Sequence, residues 1–335
     1  MENLLVNKVA AVKEVRQAAE YQKKKQACIL TGLAGSSKPV FFAAADKLLG
    51  GKGSMAFITA SREEIRTYRR ELNYLYPDLP MQELYPVSLP RVQADTQSLE
   101  LQAGRAAALR FLGGEERGIV FITAEALQQK QLRPSGMSGK ALQLAVGEEH
   151  EQRNIAAALL DLGYERTEQV DALGQFCLRG DILDVYPINS STAVRIEWFD
   201  NELDAMRSFD VDTQRSLQTL TSIKIAPLKV DESFSYDADI FEYCAADTMV
   251  VVDEPVHVFS MLEKLDKENK EHASELFGKQ ELIEQLAANG AVLVSALGHS
   301  YLQQLPSLNI PVRAVAPYNK NTNLLVEDLQ NWLAE

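Results

Sequence analysis

Cysteine is scarce. The 335 residues hold three, Cys28, Cys177 and Cys244, far apart and outside any CxxC or Cys/His cluster. That usage excludes a disulfide framework and a structural zinc site, and it fits a reducing, cytoplasmic compartment. Long apolar runs are missing too: none approaches the roughly 20 residues of a membrane span, and residues 1–8 lack the basic-then-apolar order of a signal peptide. Positive charge is short, with 34 Lys and Arg against 47 Asp and Glu, a net of −13. Duplex-binding domains carry a basic footprint. The short run Lys23-Lys24-Lys25 reads as the solvated end of a helix, so protein partners are expected ahead of nucleic acid. The histidines, His150, His257, His272 and His299, are isolated, and no nucleophile–base arrangement stands out.

What is present is ordinary globular material, 46% hydrophobic and 24% charged, enough for two or three domains. An apolar strand at 27–31 runs into Gly32-Leu33-Ala34-Gly35-Ser36-Ser37-Lys38-Pro39. The phosphate-binding loop pattern is Gly, four residues, Gly, Lys, then Ser or Thr. Here Gly32 and Lys38 remain, Gly35 lies inside the loop, Ser37 replaces the second Gly, and Pro39 replaces the hydroxyl that holds Mg²⁺. Proline donates no hydrogen bond and ligates no metal. The spacing predicts an ATPase scaffold without a working ATP site. Downstream, the apolar strand at 249–252 ends in Asp253-Glu254, the form of the element that holds Mg²⁺ and positions water. No cofactor and no metal is expected.

Periodicity predicts helices at 8–22, 39–49, from the Ser61–Glu64 capping box onward, at 97–111 and at 150–162, and one at 256–288 broken near Phe277-Gly278. Strands are expected at 55–59, 118–123 and 291–295 between the helices. That alternation implies a parallel α/β sheet. Between 163 and 209 the pattern changes to antiparallel strands, with Asp200-Asn201-Glu202 as a hairpin turn.

This middle stretch holds chemistry of another kind. From Lys140 to Arg215 there are 7 basic residues, six of them Arg, against 15 acidic ones, a net of −8. Arginine suits bidentate carboxylate pairing at interfaces. Arg195 and Glu197 lie two apart on one strand and share a face opposite Val194, Ile196 and Trp198. Two readings stand: a solvated face of cross-strand ion pairs, or a docking surface of Arg166, Arg179, Arg195 and Glu197, with Leu183 as an apolar anchor beside Arg179 and Phe176 as either core or contact.

Gly163-Tyr164, Phe176-x-x-Arg179-Gly180-Asp181-Ile182-Leu183-Asp184-Val185-Tyr186-Pro187 and Arg195-Ile196-Glu197-Trp198-Phe199-Asp200 resemble the UvrB-homology module. That module occurs in the nucleotide-excision-repair protein UvrB and at the start of bacterial transcription-repair coupling factors. Asp212-x-Gln214-Arg215 and the altered loop favour the coupling-factor branch. The resemblance implies a P-loop NTPase-like, degenerate RecA-type parallel-sheet domain in two segments, 1–136 and 211–335, interrupted by a small α+β insert at 137–210. It further implies that the insert binds UvrA through Arg179, Arg195 and Glu197, less securely Arg166, and that Cys177 stands where relatives carry another Arg. RNA polymerase and DNA are expected as partners only of parts absent from these 335 residues. UvrB also carries a Tyr-rich DNA-inserting hairpin; the matching region, 83–98, is short here and has only Tyr85. The alternative is a UvrB-like ATPase that binds damaged DNA and retains nucleotide through Lys38, Asp253 and Glu254.

Overall fold

The computed structural model describes residues 4–87, 89, 99–134, 141–228, 236–296, 305–312 and 321–334. Two short helices open the chain, α1 (Leu4–Ala10) and α2 (Lys13–Lys23), separated at residues 11–12 where the periodicity predicts one continuous helix. Strands and helices then alternate: β1 (Cys28–Thr31), α3 (Ser37–Leu48), β2 (Met55–Thr59), α4 (Arg62–Leu75), β3 (Met81–Leu84), α5 (Leu99–Leu112) and β4 (Ile119–Thr123), followed by α6 (Ala124–Gln128) and β5 (Gln131–Leu132). The capping box forms as expected, with the Ser61 backbone N–H donating to the Glu64 carboxylate at 3.0 Å.

The middle of the chain supplies β6 (Leu142–Ala145), α7 (Gln152–Asp161), β7 (Glu165–Arg166), β8 (Gln175–Arg179), β9 (Ile182–Val185), β10 (Ala193–Phe199), β11 (Glu202–Phe209), β12 (Ser216–Leu220) and β13 (Ser222–Ile225). The last segment gives β14 (Tyr236–Ala238), β15 (Met249–Asp253), α8 (Pro255–Glu268), α9 (Lys279–Ala288), β16 (Val292–Ser295), β17 (Ser307–Asn309) and α10 (Thr322–Ala334). Pro255 sits in the first turn of α8, where its missing N–H costs nothing. The predicted break in this region is wider than one residue pair, since α8 ends at Glu268 and α9 restarts after Gly278.

The large sheet has seven parallel strands in the order β17-β1-β16-β15-β2-β4-β3. Its central pair, β15 and β16, comes from the last segment and lies between β1 and β2 of the first. Alternate residues of each strand feed two cores, one on each face. Ile29, Ile58, Ile122, Val252 and Leu293 pack on the side of α5, α6, α8 and α9. Leu30, Phe57, Phe121, Val251 and Val294 pack under α1 to α4. Both faces are covered, which is why these strands read as continuous apolar runs. Each large side chain buried this way contributes about 1.5–3 kcal/mol.

The small sheet has six strands in the order β12-β11-β10-β9-β8-β7, antiparallel except at the β7–β8 pair. Its inner face packs Phe176, Leu183, Val185, Ile196, Trp198 and Met206 against Ile155 and Leu159 of α7. The hairpin between β10 and β11 turns at Asp200-Asn201, with Asp200 in the left-handed region at φ 58°. A boundary at 210 is corrected by this sheet. It would cut between β11 and β12, which pair from Met206↔Leu220 to Phe209↔Ser216, and β13 pairs back with β6. The other expected boundary, at 136–137, lies outside the described residues, as do His299 and most of the region matched to the DNA-inserting hairpin.

Candidate functional site

The outer face of the small sheet gathers charge. Arg195 on β10 stands opposite Asp184 on β9 and Arg207 on β11, while Arg179 ends β8 beside them. The Asp184 carboxylate, with 2% of its side chain exposed, accepts from Arg195 Nε at 2.7 Å, Arg195 Nη2 at 2.9 Å and Arg179 Nη2 at 3.1 Å. Arg195 also donates to Gln214 Oε1 at 3.2 Å and stacks over the Phe209 ring, 4.7 Å from its centroid. The hydrogen bond to Asp184 is the main reason the Arg195 guanidinium holds its charge above the ordinary range, against the cost of burial. Next to them Arg207 pairs with Glu197. At one end the face is closed by a small cluster of Val170, Cys177, Ala193 and Phe209.

The expected site residues do not all meet here. Arg179, Arg195 and Glu197 share the outer face, and Arg166 is exposed on the short β7. Phe176 and Leu183 are core residues and cannot serve as contacts in this fold. Leu183 was placed beside Arg179 by simple alternation, but the chain turns at Gly180-Asp181. The turn pairs Arg179 with Ile182 and Leu178 with Leu183, so Ile182 shares the arginine's side. Sequence reasoning missed Asp184, Arg207 and Gln214. Strand pairing reveals the first two, since each stands directly opposite Arg195; Gln214 belongs to the Asp212-x-Gln214-Arg215 stretch, but its bond to Arg195 arises from a turn, at φ 59°, that strand alternation does not place.

The second cluster lies at the carboxyl ends of the large sheet. Gly32 has φ 87°, and a Cβ there would stand 2.6 Å from the Ile310 carbonyl oxygen. Gly35 also has positive φ, at 53°. In the loop, Ser37 N–H donates to the Ala34 carbonyl at 3.3 Å and Lys38 N–H to Gly35 at 3.1 Å, while Ala34 N–H donates to Ser37 Oγ at 3.0 Å. These are the N–H groups that a working loop turns toward phosphate. Helix α3 starts at Ser37, so Pro39 falls in its first turn. Buried Lys38 donates to Asp253 at 2.6 Å and to Glu254 at 2.7 Å. Glu254, in the left-handed region at φ 41°, also accepts from the Ala296 N–H at 3.0 Å and from the Ser295 hydroxyl at 3.2 Å.

Burial works against the Lys38 charge, but bonds to the two carboxylates outweigh it and its pKa ends above the usual value. For Glu254, burial is likewise outweighed, chiefly by Lys38, and its pKa is lowered; for Asp253 burial wins and its pKa is raised. Among the described residues no group of three or more His, Cys, Asp or Glu is placed to hold a metal. None of the described helices is long and apolar enough to cross a membrane.

Together these features define an α/β protein with a seven-stranded parallel sheet, drawn from the first and last stretches of the chain, and a separate small sheet with a charged face. Residues 142–230 match the UvrB interaction domain family, and the chain is similar to transcription-repair-coupling factors. It is 36% identical to that of Bacillus subtilis over 203 residues, 60% of this chain and 17% of the relative. The Escherichia coli protein is 28% identical over 165 residues, 49% of this chain and 14% of the relative. The Staphylococcus haemolyticus protein is 32% identical over 202 residues, covering 60% and 17%. The chain thus spans about a sixth of the length of these relatives. A solved structure of truncated XPD aligns with 90% of this chain and 99% of its own at 10% identity and a TM-score of 0.35.

Proposed function

We propose that the chain is a non-catalytic recruitment module whose insert binds UvrA, and that in a longer coupling factor it brings nucleotide excision repair to stalled RNA polymerase. The observation that carries this reading is a coincidence of boundaries. The UvrB interaction domain match covers 142–230, and β6 to β13, which build the charged sheet, lie within it. On this reading the docking unit runs from β6 to β13, and the two flanking segments form its holder. Arg179, with 54% of its side chain exposed, is the most accessible arginine of the Asp184 cluster. Contacts to RNA polymerase and DNA belong, on this reading, to the remaining length of such relatives.

The loop after β1 supports the non-catalytic half of the reading. Lys38 is committed to Asp253 and Glu254, and three loop N–H groups are bonded within the loop. Phosphate would have to break these bonds before making its own. The test is calorimetric titration of the chain with UvrA. Arg179→Ala is expected to weaken binding by about 1.5–3 kcal/mol, the range for a hydrogen bond to a charged group. Absence of binding by the unmodified chain overturns the reading. A thermal shift at millimolar ATP that Lys38→Ala removes would favour the ATPase alternative.

A further inference from the structure

Among the charges that sequence patterning did not single out, the outer face contains one that is almost fully buried, Asp184. Asp184 is among the most buried ionised groups in the described chain, yet it sits on the side of β9 that faces away from the insert core. Burying a carboxylate costs more than its ion pairs return unless geometry is excellent, and an apolar residue of similar size is often as stabilising. An apolar side chain would suit the position, since Cys177 lies directly across on β8 and Phe209 packs against Arg195. Asp184 instead takes three N–H donors from two arginines on the two strands that flank β9. Arg195 gives both nitrogens of its Nε–Nη2 edge to Asp184, shares Nη2 with Gln214 Oε1, and is held from below by the Phe209 ring. Arg179 spends one nitrogen on Asp184 and projects its remainder outward.

We propose that Asp184 is the positioning residue of the partner-binding face, fixing Arg179 and Arg195 as a rigid pair whose outward donors receive a carboxylate of the partner. The proposal rests on the reading that this face binds UvrA, and it adds the chemistry of the contact. Two arginines and one aspartate leave a local surplus of one positive charge in a chain of net −13, so the complementary group is anionic. Arginine has five N–H donors in a fixed fork, and a fork already anchored through one edge reaches a carboxylate with little rotamer freedom left to lose. Asp184 touches no partner itself and acts through the arginines.

A double-mutant cycle in UvrA binding tests this, using Asp184→Asn, Arg179→Ala and the pair, each checked for fold by circular dichroism. Arg179→Ala alone is expected to weaken binding roughly tenfold or more and Asp184→Asn several-fold. In the Asp184→Asn background, Arg179→Ala should cost less than about twofold further, because coupled residues are non-additive. Losses that simply add, or full affinity in Asp184→Asn, overturn the proposal while leaving UvrA binding intact; no binding by the unmodified chain overturns the recruitment reading and the proposal with it. A second measurement does not need a stable Asp184→Asn–UvrA complex. In ¹⁵N spectra of the unmodified chain, the Arg195 Nε–H, which donates to Asp184, should be slowed in exchange with water relative to the Arg166 Nε–H. Equal exchange for the two refutes a pre-fixed Arg195.

Discussion

The two buried ion clusters differ in what surrounds them, and single residues expose the difference. Lys38 is enclosed by Asp253 and Glu254, so Lys38→Met leaves two adjacent carboxylates without their cation. A loss of about 3 kcal/mol is expected in urea unfolding, the lower end for breaking one side of a buried pair. Alkaline pH probes the interior by a second route. Burial pushes the Cys28 thiol up to about 12 from 9.0. The folded chain therefore keeps a proton that the unfolded chain gives up, and this stabilisation is complete below pH 9 and lost as pH rises toward 12. Lys38, whose pKa is also raised in the fold from 10.5, acts in the same direction once pH passes that value. Stability should fall by about 1.4 kcal/mol per pH unit between pH 9 and 12 for Cys28. The Cys244 thiol is likewise pushed up to about 12 by burial, so the two slopes add; urea midpoints across pH 8 to 10 check their sum, and Cys28→Ala should remove about half of it.

At the level of elements, the loop between β1 and α3 is fastened to the chain beyond β17. The Gly32 backbone passes so close to Ile310 that no side chain fits, and its φ of 87° disfavours one in any case. Gly32→Ala should lower stability by about 2 kcal/mol or more, and hydrogen exchange should quicken first at Ile310 and Val312, which donate to Thr31 and Gly32. Much of this layer was legible in the sequence. The β-branched and aromatic runs at 55–59, 119–123 and 249–253 form strands because both of their faces are covered, and the Ser61–Glu64 box starts α4 where its hydrogen bond demands. Legibility failed where pairing intervened. Alternation puts Leu183 on the side of Arg179 only if the chain runs straight; the turn at Gly180-Asp181 shifts the partner to Ile182. Asp184 was hidden for the same reason, because an aspartate in a strand means little until the arginine across from it is known. The separation of α1 from α2 carries no Pro or Gly at residues 11–12 to announce it.

Across the whole molecule, the insert has its own core, separate from the two that cover the large sheet. A cavity in one should spare the other. Phe176→Ala is expected to cost the insert about 3–5 kcal/mol and to abolish UvrA binding, while amides of β2 and β15 keep their protection against exchange. Loss of protection in both sheets together would show that they unfold as one unit. The order of strands in the large sheet adds a constraint on how the chain comes to be folded. The middle of that sheet is filled by β15 and β16, which are made after every strand of the insert, with only the edge strand β17 to follow. On the ribosome β1 and β2 must therefore wait without their shared neighbours, while the insert, contiguous from 142 to 225, has all it needs to close. The insert can close first, and the large sheet is completed after it.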